Sequence, residues 1–152
     1  STLHTNDAAT TLPRLLDMRI EPYLVASTVN VVVGQRLVRK ICNNCKTKKV
    51  LTKSESDSLK GVFPARLLNG NIFYRGKGCD KCGNTGYNGR LGIFEVLEVD
   101  QDIRDAFLRK ASAAEIKHIA VSKGMTTMVE DGFAKAKAGL TTIEDVLRVI
   151  NE

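Results

Sequence analysis

No apolar run in this 152-residue chain approaches the ~20 residues that a bilayer-spanning helix requires. The longest candidate, from Tyr23 to Val33, is broken by Ser27, Thr28 and Asn30. The N-terminus has no basic stretch leading into an apolar core, so no secretory signal is expected. Aromatic side chains make up only 5% of the sequence, and Phe73-Tyr74 is the one adjacent aromatic pair, which weighs against a surface built to stack nucleic-acid bases. There is no G-x-x-x-x-G-K-[ST] string, the loop whose backbone N–H groups cradle nucleotide phosphates. Cysteine is sparse too, with four residues in two C-x-x-C pairs and none left over.

The remainder is a globular balance, 43% hydrophobic and 26% charged, which excludes disorder over most of the length. The formal net charge is +6, and Arg36, Arg39, Lys40, Lys46, Lys48, Lys49 and Lys53 crowd one stretch. Such a surface is either simply solvated or attracts an acidic partner, phosphate or anionic lipid.

Three regions follow from composition and pattern. Residues 1–41 open with Ser1-Thr-Leu-His-Thr-Asn6, then a short helix with Pro13 near its first turn and Leu12, Leu15 and Leu16 on one side. Glu21-Pro22 opens a second helix, expected to run to about Lys40 because Leu24, Val25, Val29, Val32, Val33 and Leu37 cover much of a helical circumference. Residues 42–89 are irregular, with a short helix expected around Ser54 to Lys60 and a short strand at Ile72-Phe73-Tyr74. Residues 90–152 begin with a strand over Leu91 to Val99, followed by short helices. Asp100 is the expected N-cap of the first. Ser112 and Glu115 form a capping box for the next, Thr127 and Glu130 repeat it, and Gly124 and Gly139 stand where left-handed helix stops belong. Thr141-Thr-Ile-Glu144 opens the last helix, with Ile143, Val146, Leu147 and Ile150 on its apolar side.

The cysteines read C-x2-C-x33-C-x2-C: Cys42, Cys45, Cys79 and Cys82. Two C-x-x-C turns can place four thiolates around one ion, and zinc accepts four sulfurs in a closed, structural tetrahedron. Iron with four sulfurs fits the same ligands. Lys46, Lys48, Lys77 and Lys81 lie close in sequence and would offset part of the thiolate charge. His4 and His118 are remote in sequence, and spacing alone gives His4 no catalytic partner.

The strings STLHTNDA, RLLDM, EPYL, VVVGQRLVRKIC, GCDKCGNTGYNGRLGIFEVLEVD and GLTTIEDVLRV strongly resemble the traffic ATPases of type II secretion and type IV pilus assembly, in collinear order over essentially the whole chain. The resemblance implies an α/β fold: the C-terminal part of a RecA-like ATPase core (1–41), a tetracysteine zinc-binding insertion (42–89), and a returning core strand with a C-terminal helical subdomain (90–152). It implies a histidine box near the nucleotide phosphates, carried here by His4 with Thr2, Thr5 and Asn6, and one structural Zn2+ on Cys42, Cys45, Cys79 and Cys82. The intact protein is then expected to be a homo-hexameric motor using ATP and Mg2+ at the cytoplasmic face of the inner membrane. Its expected partners are a membrane platform protein, the secretion or pilus machinery and, through the basic stretch, an anionic membrane surface. With the phosphate loop and the acidic magnesium-holding motifs missing, the chain is expected to be cut inside the ATPase core and inactive alone. Arg19 departs from the pattern, since many members carry a glycine after the Leu-Asp-Met string. A stand-alone zinc module that binds nucleic acid or an acidic partner is the alternative.

Overall fold

The computed structural model describes residues 1–62 and 72–151, so part of the expected insertion lies outside the described residues. The described residues form seven α-helices and four strands in mixed order. They group into two compact units, each built from two stretches of sequence: Ser1–Gln35 with Phe94–Met128, and Arg36–Ile93 with Val129–Glu152.

The first unit opens with an irregular segment, then α1 (Ala8–Asp17). The helix starts earlier than the proline suggests. Asp7 is its N-cap, accepting the Thr10 N–H at 2.8 Å, and Pro13 therefore falls inside the helix. At its far end Arg19 takes a left-handed φ of 61°, with Arg19 N–H bonded to Leu16 O and Ile20 N–H to Leu15 O, a Schellman stop.

The second expected helix is much shorter. α2 spans Pro22–Thr28, and Val31–Ile41 is strand β1, not helix. Val31, Val32 and Val33 are β-branched and lose side-chain freedom against a preceding helical turn. Exposed and more buried positions alternate along most of the segment, the period-2 signature of a strand. The apolar spacing that fits a helix here fits that alternation equally well.

Strand β4 (Tyr87–Glu98) pairs with β1. Val99 N–H donates to Asn30 O at one end and Cys42 N–H to Gly86 O at the other, so the two strands run antiparallel. Helices α4 (Gln101–Leu108) and α5 (Ala113–Ser122) complete the first unit, whose core gathers Leu12, Val25, Leu97, Ile103, Phe107 and Ile116. Asp100 and Ser112 cap these helices as expected, accepting the N–H groups of Ile103 and Glu115. Gly124 and Gly139 have positive φ, as expected of helix stops.

One buried charge organises this unit. Glu95 is 1% exposed, and its carboxylate accepts the N–H of Ala8 at 3.1 Å and of Met128 at 3.2 Å. These are the first residues of α1 and of α6 (Met128–Lys137), so two helix N-termini point at one carboxylate, the favourable sign for a helix dipole. Lys117 Nζ lies 3.7 Å from Glu95 and 2.9 Å from Asp7.

In the second unit β2 (Lys46–Val50) and β3 (Ile72–Gly76) form an antiparallel ladder from Lys46↔Gly76 to Val50↔Ile72, joined through α3 (Lys53–Leu59). Thr52 and Glu55 make a full capping box on α3. Phe73 and Phe133 meet edge to face, 5.5 Å between ring centres. Helix α7 (Ile143–Asn151) is capped by Thr142, whose hydroxyl accepts the Asp145 N–H, and it buries Ile143, Val146 and Val149.

Candidate metal centre and histidine segment

The β2–β3 ladder solves a problem the sequence poses, since 33 residues separate the two cysteine pairs. Its Lys46↔Gly76 end brings Cys45 level with Lys77, whose N–H donates to Cys45 O at 3.0 Å. The second pair then sits in a 3₁₀ turn over Asp80–Cys82. Close backbone approach makes this possible: a Cβ on Gly76 would lie 2.1 Å from Gly86 O, so only glycine fits there.

The four sulfurs lie within 4.8 Å of one another. Cys42–Cys79 and Cys45–Cys82 are 3.9 Å apart and Cys79–Cys82 is 3.7 Å. Zinc–sulfur bonds of about 2.3 Å give a tetrahedron with edges of about 3.8 Å. A disulfide, at about 2.05 Å, is excluded by these separations, and all four cysteines are free. Cys42 is buried and the others are half-buried. N–H groups already face the sulfurs: Asn44 Nδ2 and Cys79 Sγ are 3.3 Å apart, and Cys82 Sγ accepts the N–H of Cys79 and of Gly86, both at 3.3 Å. Burial pushes the Cys82 thiol up, but these two backbone donors outweigh it and bring it to about 6. The Asn44 amide lowers Cys79, while burial and the neighbouring thiols push Cys45 up to about 11. The four cysteines could hold a metal ion, and the donor set fits a closed sulfur site. Of the nearby lysines, Lys46 turns to Gly139 O at 3.2 Å and lies 5.2 Å from the Tyr74 ring centre, while Lys40 and Lys81 border a cleft beside Cys42 with Asn43 and Asn44.

The histidine segment lies in the first unit. Residues 1–5 have no regular secondary structure, and Thr2, His4 and Asn6 are exposed. Thr5 is half-buried and shares a 2.8 Å hydrogen bond with Thr11. The segment leads into Asp7, and so into the helix terminus that Glu95 receives. Burial raises the Asp7 carboxyl, but its bonds from Thr10 and Lys117 hold it below the usual range.

Two functional-looking groups escape sequence reasoning. Glu95 is one. The other is Asp145, whose side chain is fully buried. It accepts the Arg39 N–H at 2.6 Å and pairs with the guanidinium groups of Arg39 at 2.7 Å and Arg148 at 3.1 Å. Arg39 in turn stacks 4.0 Å from the centre of the Tyr87 ring. No local motif marks either carboxylate, because their partners lie up to 106 residues away in sequence.

The family model of the type II/IV secretion system protein matches residues 1–148. The chain belongs to that family. Among similar members, the type IV pilus assembly ATPase PilB of Thermus thermophilus is 46% identical over 149 residues, 97% of this chain and 16% of that protein. The type II secretion system protein E of Pectobacterium carotovorum subsp. carotovorum is 39% identical over 152 residues, all of this chain and 29% of that protein. The type II secretion system ATPase E of Vibrio cholerae is 38% identical, again over all of this chain and 29% of its own length. The chain thus spans under a third of these secretion-family relatives. No helix among the described residues is long and apolar enough to cross a membrane.

Proposed function

We propose that the chain is the C-terminal segment of a hexameric, ATP-hydrolysing motor that powers type IV pilus assembly or type II protein secretion. The observation that carries this reading is the collinear match over residues 1–148 to a family whose similar members are named assembly and secretion ATPases. In this reading residues 1–41 and the strand returning after the insertion complete a RecA-like core. Cys42, Cys45, Cys79 and Cys82 hold one structural Zn2+. His4 faces the nucleotide phosphates, with Thr2, Thr5 and Asn6 beside it. ATP and Mg2+ bind in the longer protein, at the cytoplasmic face of the inner membrane, where the platform protein and the rest of the machinery dock. The basic stretch around Lys46, Lys48 and Lys49 suits an anionic membrane surface. The alternative, a stand-alone zinc module for nucleic acid or another acidic partner, draws no support from the family match.

The mechanism assigned to His4 is electrostatic: a donor on an exposed, unstructured approach to a helix terminus can reach charge that develops on a transferred phosphoryl group. In a longer protein that carries the phosphate-binding loop, His4→Ala should lower kcat about 10²-fold with nucleotide affinity kept. An unchanged kcat would remove His4 from the reaction.

A further inference from the structure

Four stretches of chain enter or leave the cysteine cluster, and all four are held by one short segment, Gly139–Asp145. Before Cys42, Ile41 N–H donates to Leu140 O at 2.9 Å, Arg39 O accepts the Thr141 hydroxyl at 2.8 Å, and Arg39 carries the buried Asp145 carboxylate. After Cys45, Lys46 Nζ donates to Gly139 O, and Lys49 Nζ pairs with Glu144 just beyond. Before Cys79, the Tyr74 ring lies so close to Gly139 that a Cβ there would meet it at 2.8 Å. After Cys82, the Tyr87 hydroxyl and Thr142 share a 2.9 Å hydrogen bond.

Thr142 and Asp145 do a second thing, since they also begin α7. The group that caps the helix and the group that fixes its first turn are therefore the groups that hold the arms of the cluster. A buried carboxylate with two guanidinium partners has few alternative arrangements, because releasing it strands a charge away from water. If the arms separate, Asp145 loses Arg39, and the first turn of α7 loses its anchor. If α7 leaves, the arms lose a common brace and the sulfurs lose their spacing.

We infer that Gly139–Asp145 is a positioning segment for the metal centre, so that metal binding at the four cysteines and docking of α7 are one coupled equilibrium. The inference rests on reading the cluster as a metal site. By linkage, full undocking of α7 weakens metal binding by the same factor by which metal loss weakens α7 docking. Partners outside the ligand shell commonly change metal affinity 10–100-fold.

The experiment uses the whole chain loaded with zinc. Metal affinity is measured by chelator competition for the wild type, Asp145→Asn, Tyr87→Phe and, as a control in the other unit, Glu95→Gln. Amide exchange of residues 143–151 is followed in the wild type before and after chelation. The expected results are about a tenfold loss of affinity in Asp145→Asn, a smaller loss in Tyr87→Phe, none in Glu95→Gln, and faster exchange of α7 once the metal is removed. Should Asp145→Asn fail to fold, Tyr87→Phe and the wild-type exchange data decide. Stoichiometric metal with unchanged affinity in the variants and unchanged exchange of α7 overturns the coupling while leaving the metal site standing. A wild-type chain that binds no metal overturns both.

Discussion

Arg19 and Lys110 show how a single residue can hold a conformation its own chemistry disfavours. Both have left-handed φ, 61° and 59°, both are exposed, and both occupy helix stops of the Schellman type. A side chain at this conformation costs roughly 1 kcal/mol relative to glycine. Arg19→Gly and Lys110→Gly should therefore each stabilise the chain by about 0.5–1 kcal/mol, read as a higher urea midpoint at unchanged slope. A loss of stability in either would mean that the replaced side chain supplies a contact worth more than the strain. The departure at Arg19 is visible in sequence against the family pattern, and the turn forms in spite of it. Asp145 illustrates the reverse case. In sequence it is one acid in an amphipathic helix, facing solvent by default, and only the return of Arg39 from a distant strand explains its burial.

Among the elements, β1 carries the clearest lesson. Its valines and leucines fit a helical stripe and an alternating strand alike, and the β-branched run decides for the strand. The short elements α4 and α5 are legible because a cap is a local event between residues three apart. The paired termini of α1 and α6 are not legible, since their common acceptor lies in β4. That acceptor is testable. Glu95→Gln keeps the shape but sets an amide N–H group against backbone N–H groups, and should cost about 2–3 kcal/mol in chemical denaturation. A cost near zero would mean that water replaces the carboxylate. The same logic gives a pH dependence. For Asp145, burial is outweighed by the Arg39 N–H and by the Arg39 and Arg148 guanidinium groups; for Asp100, the Lys123 pair dominates; both carboxyls lie below their usual value. Groups lowered in the folded state stabilise it above their unfolded pKa and cease to do so as pH falls through the folded one. The stability that these two carboxylates contribute should thus be complete at neutrality and be lost below about pH 4, with a shallower fall in Asp145→Asn. An equal fall in that variant would assign the acid sensitivity elsewhere.

For the whole molecule, the cysteine site was the most legible feature, because two C-x-x-C turns announce themselves whatever lies between them. Only half of the ladder that joins them is legible: Ile72-Phe73-Tyr74 reads as the strand it forms, whereas Lys46-Thr-Lys-Lys has little apolar character to betray its partner. The boundary between the two compact units falls inside β1 and β4 and at the first residue of α6, where no change of composition marks it. Function at this scale follows from length as well as from motifs. The chain covers 16–29% of the relatives described above and has no phosphate-cradling loop. Purified free of contaminating ATPases, it should show no ATP turnover in a coupled assay, and measurable turnover would contradict the proposal that it is a motor segment inactive alone.

The register of β2 against β3 also sets which changes of length the cysteine site can absorb. Side chains along a strand alternate faces, so one residue gained or lost between Lys46 and Val50 would turn the rest of that strand inside out and carry the cysteines out of step. A change of length beyond Val50 and before Ile72 leaves the rungs nearest the sulfurs untouched. The five rungs from Lys46↔Gly76 to Val50↔Ile72 are thus the ruler that sets the distance between the two cysteine pairs.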